Sequence, residues 1–212
     1  DIETTPEWLK PIISCFENDP NLGAAQPKIL DYKNKSYFEY AGAGGGFIDK
    51  MGYPYCRGRI FQEIEQDKGQ YDDIASIFWA SGACLVVRKD IFWKAGALDE
   101  LFFAHQEEID LCWRIHNLGY SIKHIGTSAV YHVGGATLST MNPQKTFYNF
   151  RNTLYALVKN VKGSKVWLII FATLQKVLKK REATKPSINY YSSYSIVWQH
   201  FIMKRNRYNE LP

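Results

Sequence analysis

Between residues 82 and 133, short apolar runs alternate with segments whose apolar residues recur at helical spacing. The runs at 82–87, 120–125 and 129–133 predict strands, the first of them buried. Residues 89–95 predict a short helix capped at Gly96, and 106–118 a longer one that stops at Gly119, a residue suited to the position after a helix. Gly126 and the pair Gly134 and Gly135 bound the last two strands, and 98–104 predict an aromatic-rich loop. Nearer the start, Thr5 before Pro6 reads as a cap and first helical residue. That helix is expected to run to about Glu17 and to stop before Asn18, Asp19 and Pro20. Residues 22–30 predict a short strand, with Pro27 marking an edge or an end. Strands alternating with helices predict an α/β layer. The tail is expected to be helical: Phe147, Phe150, Leu154, Leu157 and Val161 share helical spacing over 145–161. Residues 165–180 begin apolar and end in Lys176, Lys179 and Lys180, and 190–208 mix aromatics with Lys204, Arg205 and Arg207.

Residues 31–75 are loop-rich, with Gly42, Gly44, Gly45, Gly46, Gly52 and Gly58. No Gly-Lys-Ser/Thr follows and no helix opens there, which excludes a phosphate-cradling P-loop. Two readings stay open: a flexible surface loop, or a substrate-side loop carrying Tyr53, Tyr55, Arg57 and Arg59.

Composition narrows the picture further. With 212 residues, 46% of them hydrophobic, the chain can bury one sizeable core. Charge is uneven: residues 151–212 hold twelve Lys/Arg against Glu182 and Glu210, whereas residues 1–150 hold fourteen against nineteen acids. A tail of +10 favours an anionic surface or forms a solvated helical face; no nucleic-acid fold signature is present, so a membrane surface is the better partner. Cys15, Cys56, Cys84 and Cys112 form no CxxC pair and read as small buried hydrophobes in a reducing compartment. The longest apolar run, 166–174, is too short to span a bilayer.

Three acids open the helix at 106–118: Glu107, Glu108 and Asp110. A helix N-terminus stabilises their ionised forms, so the cluster on its own is an ordinary helix start. Glu107, Asp110 and Arg114 share one face, and Arg114 is placed to pair with Asp110 across one turn. Glu108 lies about 100° away on the helix and is left for chemistry.

The neighbours of this cluster give it a context. Trp79, Gly82, Ala83 and Arg88 are followed by Asp99, Glu100, Phe102 and Phe103. Then come Glu107, Glu108, Asp110, Leu111 and Arg114, and finally Gly119, Tyr120 and His132. In order and spacing this set resembles the family-2 glycosyltransferases of the GT-A type, rhamnosyltransferases among them. Their pattern runs Gly-Ala, Arg, Phe-Asp-Glu-x-Phe-Phe, Glu-Asp-x-Asp-Leu-x-x-Arg, Gly-Tyr and a closing His. The opening residues also resemble that family's Asn-x-Asp-x-Glu-x-x-x-x-Trp-Leu stretch, with Asp1 as its second Asp. The likeness covers about residues 1–160 and departs from the pattern at 108, where Glu stands for Asp.

The resemblance implies the C-terminal part of a GT-A, Rossmann-like mixed sheet flanked by helices and followed by a helical basic tail. The division expected is 1–145 for the acceptor-side portion and 146–212 for the extension. It further implies inverting transfer of a sugar from a nucleotide-sugar donor to a glycan or lipid-linked acceptor, with the donor-binding half preceding Asp1. In that scheme Glu108 is the base, and Glu107, Asp99, Glu100, Trp79, Gly82 and Ala83 meet substrate. Asp1 and His132 hold a divalent metal, Mg2+ or Mn2+. The expected workplace is the cytoplasmic face of a membrane. A saccharide- or membrane-binding module without chemistry is the alternative that the same residues allow.

Overall fold

The computed structural model describes residues 2–40, 43–60, 63–134, 143–164, 166–172 and 175. Asp1, Gly42, Gly135, His200 and the expected basic helices beyond residue 175 lie outside them. Along the chain run β1 (Ile2–Thr4), α1 (Leu9–Asn18), β2 (Leu22–Asp31), β3 (Gly46–Ile48), β4 (Pro54–Cys56), β5 (Arg59–Ile60) and β6 (Glu63–Ile64). They are followed by β7 (Ile74–Ser76), β8 (Val86–Val87), α2 (Lys89–Lys94), a 3-10 turn (Glu100–Phe102), α3 (Glu107–Asn117), β9 (Ser121–His132) and α4 (Pro143–Asn160).

A five-stranded mixed sheet is the centre of the fold, in the order β1-β9-β2-β8, with β7 also paired to β9. β2 and β9 run parallel, and the other pairings are antiparallel. Alternation along the strands feeds two cores. Ala24 and Ile122 pack with Ile91, Leu111, Cys112 and Ile115 of α2 and α3. Ala25 and Ile125 pack with Ile12 of α1 and half-buried Trp8 and Phe16. The sheet is therefore covered by helices on both faces, as the alternation of elements predicts. Arg88 ties these layers together: its guanidinium donates to Leu22 O at 2.7 Å and to Asp19 O at 3.0 Å, at the joint between α1 and β2.

The structure corrects the expected elements at five places. The first helix starts at Leu9, because Thr5 Oγ1 donates to Ala129 O instead of capping it. β1 precedes it and pairs with β9. Pro27 lies within a ten-residue strand, not at its end. It is tolerated because β8 pairs only Ala24 and Ala25, and the register to β9 shifts at Pro27. The strand expected at 82–87 shrinks to half-buried Val86–Val87, since Ser81 O closes a turn onto Cys84 N at 3.0 Å. The two strands expected at 120–125 and 129–133 are one, β9. It bulges over 126–128, where Gly126 lies against the Tyr71–Asp72 backbone and a Cβ would collide with Tyr71 O. Finally, residues 31–75 contain two small hairpins, β3–β4 and β5–β6, besides β7. Gly46 in β3 is required there: a side chain would enter the Trp79 indole.

α4 is latched to α3 through a buried ion cluster. Asp110 is fully buried. Its carboxylate accepts from Arg114 Nε at 2.9 Å, Lys159 Nζ at 2.9 Å and Asn160 Nδ2 at 2.8 Å. Lys159 also donates to Asp99 Oδ2 at 2.7 Å. Removing Asp110 strands cations in the interior, so Asp110→Ala is expected to lose about 3–5 kcal/mol of stability. Urea denaturation read by tryptophan fluorescence checks this, and an unchanged midpoint would show the cluster to be dispensable.

Candidate active site

Three successive backbone amides line the sheet end nearest α3, and each is held by a side chain from another element. Ala80 N–H points to Cys112 Sγ at 3.4 Å, and Ser81 N–H donates to the buried Gln26 Oε1 at 2.8 Å. Gly82 N–H donates to the Glu108 carboxylate. These bonds explain why the backbone leaves the sheet ladder here: its donors are taken by side chains. Gly82 is exposed and Ala83 half-buried, so this backbone is accessible beside Glu108.

Glu108 keeps some exposed surface, but its carboxyl is enclosed by protein. Burial, then the charge of Glu107, push it up to about 7, against opposing backbone donors at Glu108, Ile109 and Gly82. Glu107 Oε2 is buried and makes no hydrogen bond among the described residues. A proton on the Glu108 carboxyl is thus in balance near neutral pH. Asp110, two residues on, has the opposite surroundings, being fully paired with cations. The Asp110–Arg114 pair expected from the sequence is present; Glu107 takes no part in it.

The segment entering α3 is conformationally costly. Phe103 has φ 61° and ψ −58°, with Ala104 N–H donating to Phe102 O at 2.7 Å. That is the strained form of γ-turn. His105 and Gln106 follow at φ 69° and 68°. Each such non-glycine residue costs about 1–3 kcal/mol, which surrounding contacts must offset. Phe103 projects outward at 78% exposure against Tyr148.

The remaining expected site residues are placed as follows. Trp79 is 6% exposed, its indole N–H donating to Phe47 O at 2.8 Å, so it supports the shelf from within the core. Asp99 caps the 3-10 turn by accepting from Leu101 N at 3.0 Å and also binds Lys159. Glu100 is exposed on that turn. His132 closes β9, opposite Ile2, with its Nδ1 3.6 Å from the buried Glu39 carboxylate and without a hydrogen bond among the described residues. An unsatisfied imidazole nitrogen beside a carboxylate fits a divalent-metal ligand. Asp1 lies outside the described residues, and among those described no group of three or more potential ligands surrounds one point. All four cysteines are unpaired. Burial raises Cys84 to about 11 and Cys112 to about 12, so neither is a nucleophilic thiolate at neutral pH. Sequence reasoning missed Gln26, Glu39, Arg151, Asn152 and Lys159. Only the polar pair Arg151 and Asn152, set among the apolar residues of α4, left a trace in the sequence.

No protein-family model matches the chain. It is 35% identical over 136 residues to an N-acetylglucosaminyl-diphospho-decaprenol L-rhamnosyltransferase of Mycobacterium tuberculosis, covering 62% of this chain and 44% of that protein. It is 24% identical over 165 residues to the dTDP-rhamnosyl transferase RfbF of Shigella flexneri, covering 73% of this chain and 50% of that one. The chain thus spans half or less of the length of these relatives. Among solved structures it is similar to GalNAc-T7 with UDP, GalNAc and Mn2+, at TM-score 0.51 and 13% identity, over 74% of this chain and 29% of that one. The curated homologues are rhamnosyltransferases, and the fold is that of a GT-A glycosyltransferase.

Ionising Glu108 in its enclosure opposes folding. Its carboxyl has an ordinary value of 4.5 and a folded one of about 7, so the native state holds the proton more tightly between the two. The stability from this group is fullest below 4.5 and falls as pH rises to about 7. Glu108→Gln, with no charge to bury, is expected to be more stable than the parent at pH 8, the margin shrinking at pH 5. Urea midpoints at the two pH values check this. A margin independent of pH would place the carboxyl in water.

Proposed function

We propose that this chain supplies the acceptor and base side of an inverting sugar transfer from a nucleotide-sugar donor, rhamnosyl transfer being the first candidate. The observation that carries the reading is Glu108: an enclosed carboxyl poised at about 7, facing an accessible backbone shelf at Gly82 and Ala83. A base is most effective when its pKa lies near the working pH.

In the reaction, the acceptor hydroxyl oxygen attacks the anomeric carbon of the donor as the bond from that carbon to the diphosphate oxygen breaks. The hydroxyl proton passes to Glu108, and the electron pair of the broken bond leaves with the diphosphate. Attack opposite the leaving group inverts the anomeric centre. In this reading Glu107 and exposed Glu100 would accept hydrogen bonds from acceptor hydroxyls, and the accessible backbone at 82–83 would let a sugar ring approach closely. Asp99, bound to Lys159 and Leu101, supports the turn that carries Glu100. His132, with Asp1, would hold a divalent ion, whose chemistry is to neutralise charge on the departing diphosphate. Relatives named for lipid-linked and dTDP-linked substrates favour a polyprenyl-diphosphate or glycan acceptor and a dTDP-sugar donor. They also favour work at the inner face of a membrane, which the basic tail would meet electrostatically. No helix among the described residues is long and apolar enough to cross a membrane.

In the complete transferase, Glu108→Gln is expected to lower kcat by about 100-fold or more while leaving the donor Kd within about twofold. Radiolabelled sugar transfer and donor calorimetry measure the two. Retained turnover would remove Glu108 from the role of base.

A further inference from the structure

Asn152 of α4 is fully buried and aims its amide at the strained segment before α3. Its Nδ2 lies 3.1 Å from Phe102 O, 2.8 Å from Ala104 O and 2.6 Å from His105 O. Those carbonyls flank the γ-turn at Phe103 and the left-handed residues after it. Arg151 fixes which way the Asn152 amide faces, because its Nε donates to Asn152 Oδ1 at 3.0 Å. The same guanidinium donates through Nη2 to Leu101 O at 3.1 Å and Phe102 O at 2.8 Å. Gln106, the last residue before α3, donates to Thr153 Oγ1 at 3.0 Å and Asn149 O at 3.1 Å. One turn of α4 thus meets the carbonyls of residues 101, 102, 104 and 105 and the side chain of 106. A turn with backbone this unfavourable persists only while its carbonyls are held.

We infer that Asn152, oriented by Arg151, is a positioning residue: it locks the 102–106 turn and so fixes where α3 begins and where Glu107 and Glu108 point. The inference rests on the reading of Glu108 as the base. Among the described residues, the titratable groups near the Glu108 carboxyl are Glu107 and Cys112 of its own helix; from the 80–82 shelf it meets Gly82 backbone. A turn that relaxes lets water reach that carboxyl, so displacement is readable in the pH profile as well as in rate.

The experiment compares Asn152→Ala, Arg151→Gln and Asn152→Ala with Phe103→Gly in the complete transferase. Circular dichroism and thermal melting monitor folding. Asn152→Ala is expected to lose about 10-fold or more in kcat with donor KM within about twofold. The acid limb of its kcat profile is expected to move down by about one pH unit, as desolvation of the base is relieved. Arg151→Gln is expected to show a smaller change of the same kind. Phe103→Gly is expected to restore part of the kcat of Asn152→Ala, because glycine holds φ near +60° without help. A folded Asn152→Ala with the parent's kcat and acid limb overturns the inference. Should Asn152→Ala not fold, a parental profile in Arg151→Gln overturns it, since that variant loses the same orienting bond. Glu108→Gln separates the levels. If it is active, the base assignment and this inference both fall. If it is inactive while folded Asn152→Ala behaves as the parent, only the positioning role falls.

Discussion

A carboxylate taken out of water has to be met by opposite charge and by hydrogen bonds, or the chain does not hold it ionised. Asp110 imposes that demand at the centre of this molecule. Its side chain is wholly inside, and Arg114, Lys159 and Asn160 answer it. Two of those partners belong to α4, so satisfying one acid on α3 fixes where α4 lies. Once α4 is docked, Lys159 reaches Asp99, Asn152 reaches the carbonyls of 102, 104 and 105, and Arg151 reaches those of 101 and 102. The turn that aims Glu107 and Glu108 is thus a consequence of the way Asp110 is buried.

The contrast between Asp110 and Glu108 shows how one helical turn can hold two acids in different surroundings. Both lie in the favourable field of the helix N-terminus. Asp110 has two cations, Arg114 and Lys159, and the Asn160 amide around it. Glu108 has backbone amides and a like-charged neighbour, and burial outweighs the amides. The first arrangement keeps charge in place and builds structure. The second leaves a proton in balance near neutrality, which is the property a general base needs.

Much of this was legible in the sequence, for physical reasons. The 3.6-residue period from Glu107 to Asn117 and the glycine after it left little freedom, and the helix is there. The i, i+4 spacing of Asp110 and Arg114 made their pairing a local matter. Long-range chemistry was hidden. Nothing adjacent to Gln26 says that its amide will catch Ser81, fifty-five positions away. Nothing near Lys159 says that two acids lie beneath it. The packing of Trp79 was equally hidden: its indole fills the space that Gly46, thirty-three positions earlier, leaves open. Pro27 misled because an edge rule is really a rule about pairing, and a central strand can lack a partner at one residue.

The places where local rules fail are those closest to Glu108. The strand expected from Gly82 does not begin there, because the Gly82 amide goes to Glu108 and Ser81 O closes a turn onto Cys84 N. The loop before α3 adopts a γ-turn on a phenylalanine, followed by two more left-handed residues, none of them glycine. Sequence propensity favours neither feature, and each is held by side chains from elements distant in the chain. Irregularity that is over-determined by long-range contacts, and confined to the two sides of one titrating carboxyl, has a simple physical sense. A regular strand would use up the 80–82 amides in a ladder, and a relaxed loop would let α3 start elsewhere and open Glu108 to water. The strain and the raised pKa are therefore two expressions of one arrangement, in which the scaffold around Asp110 supplies the stability that the geometry around Glu108 consumes.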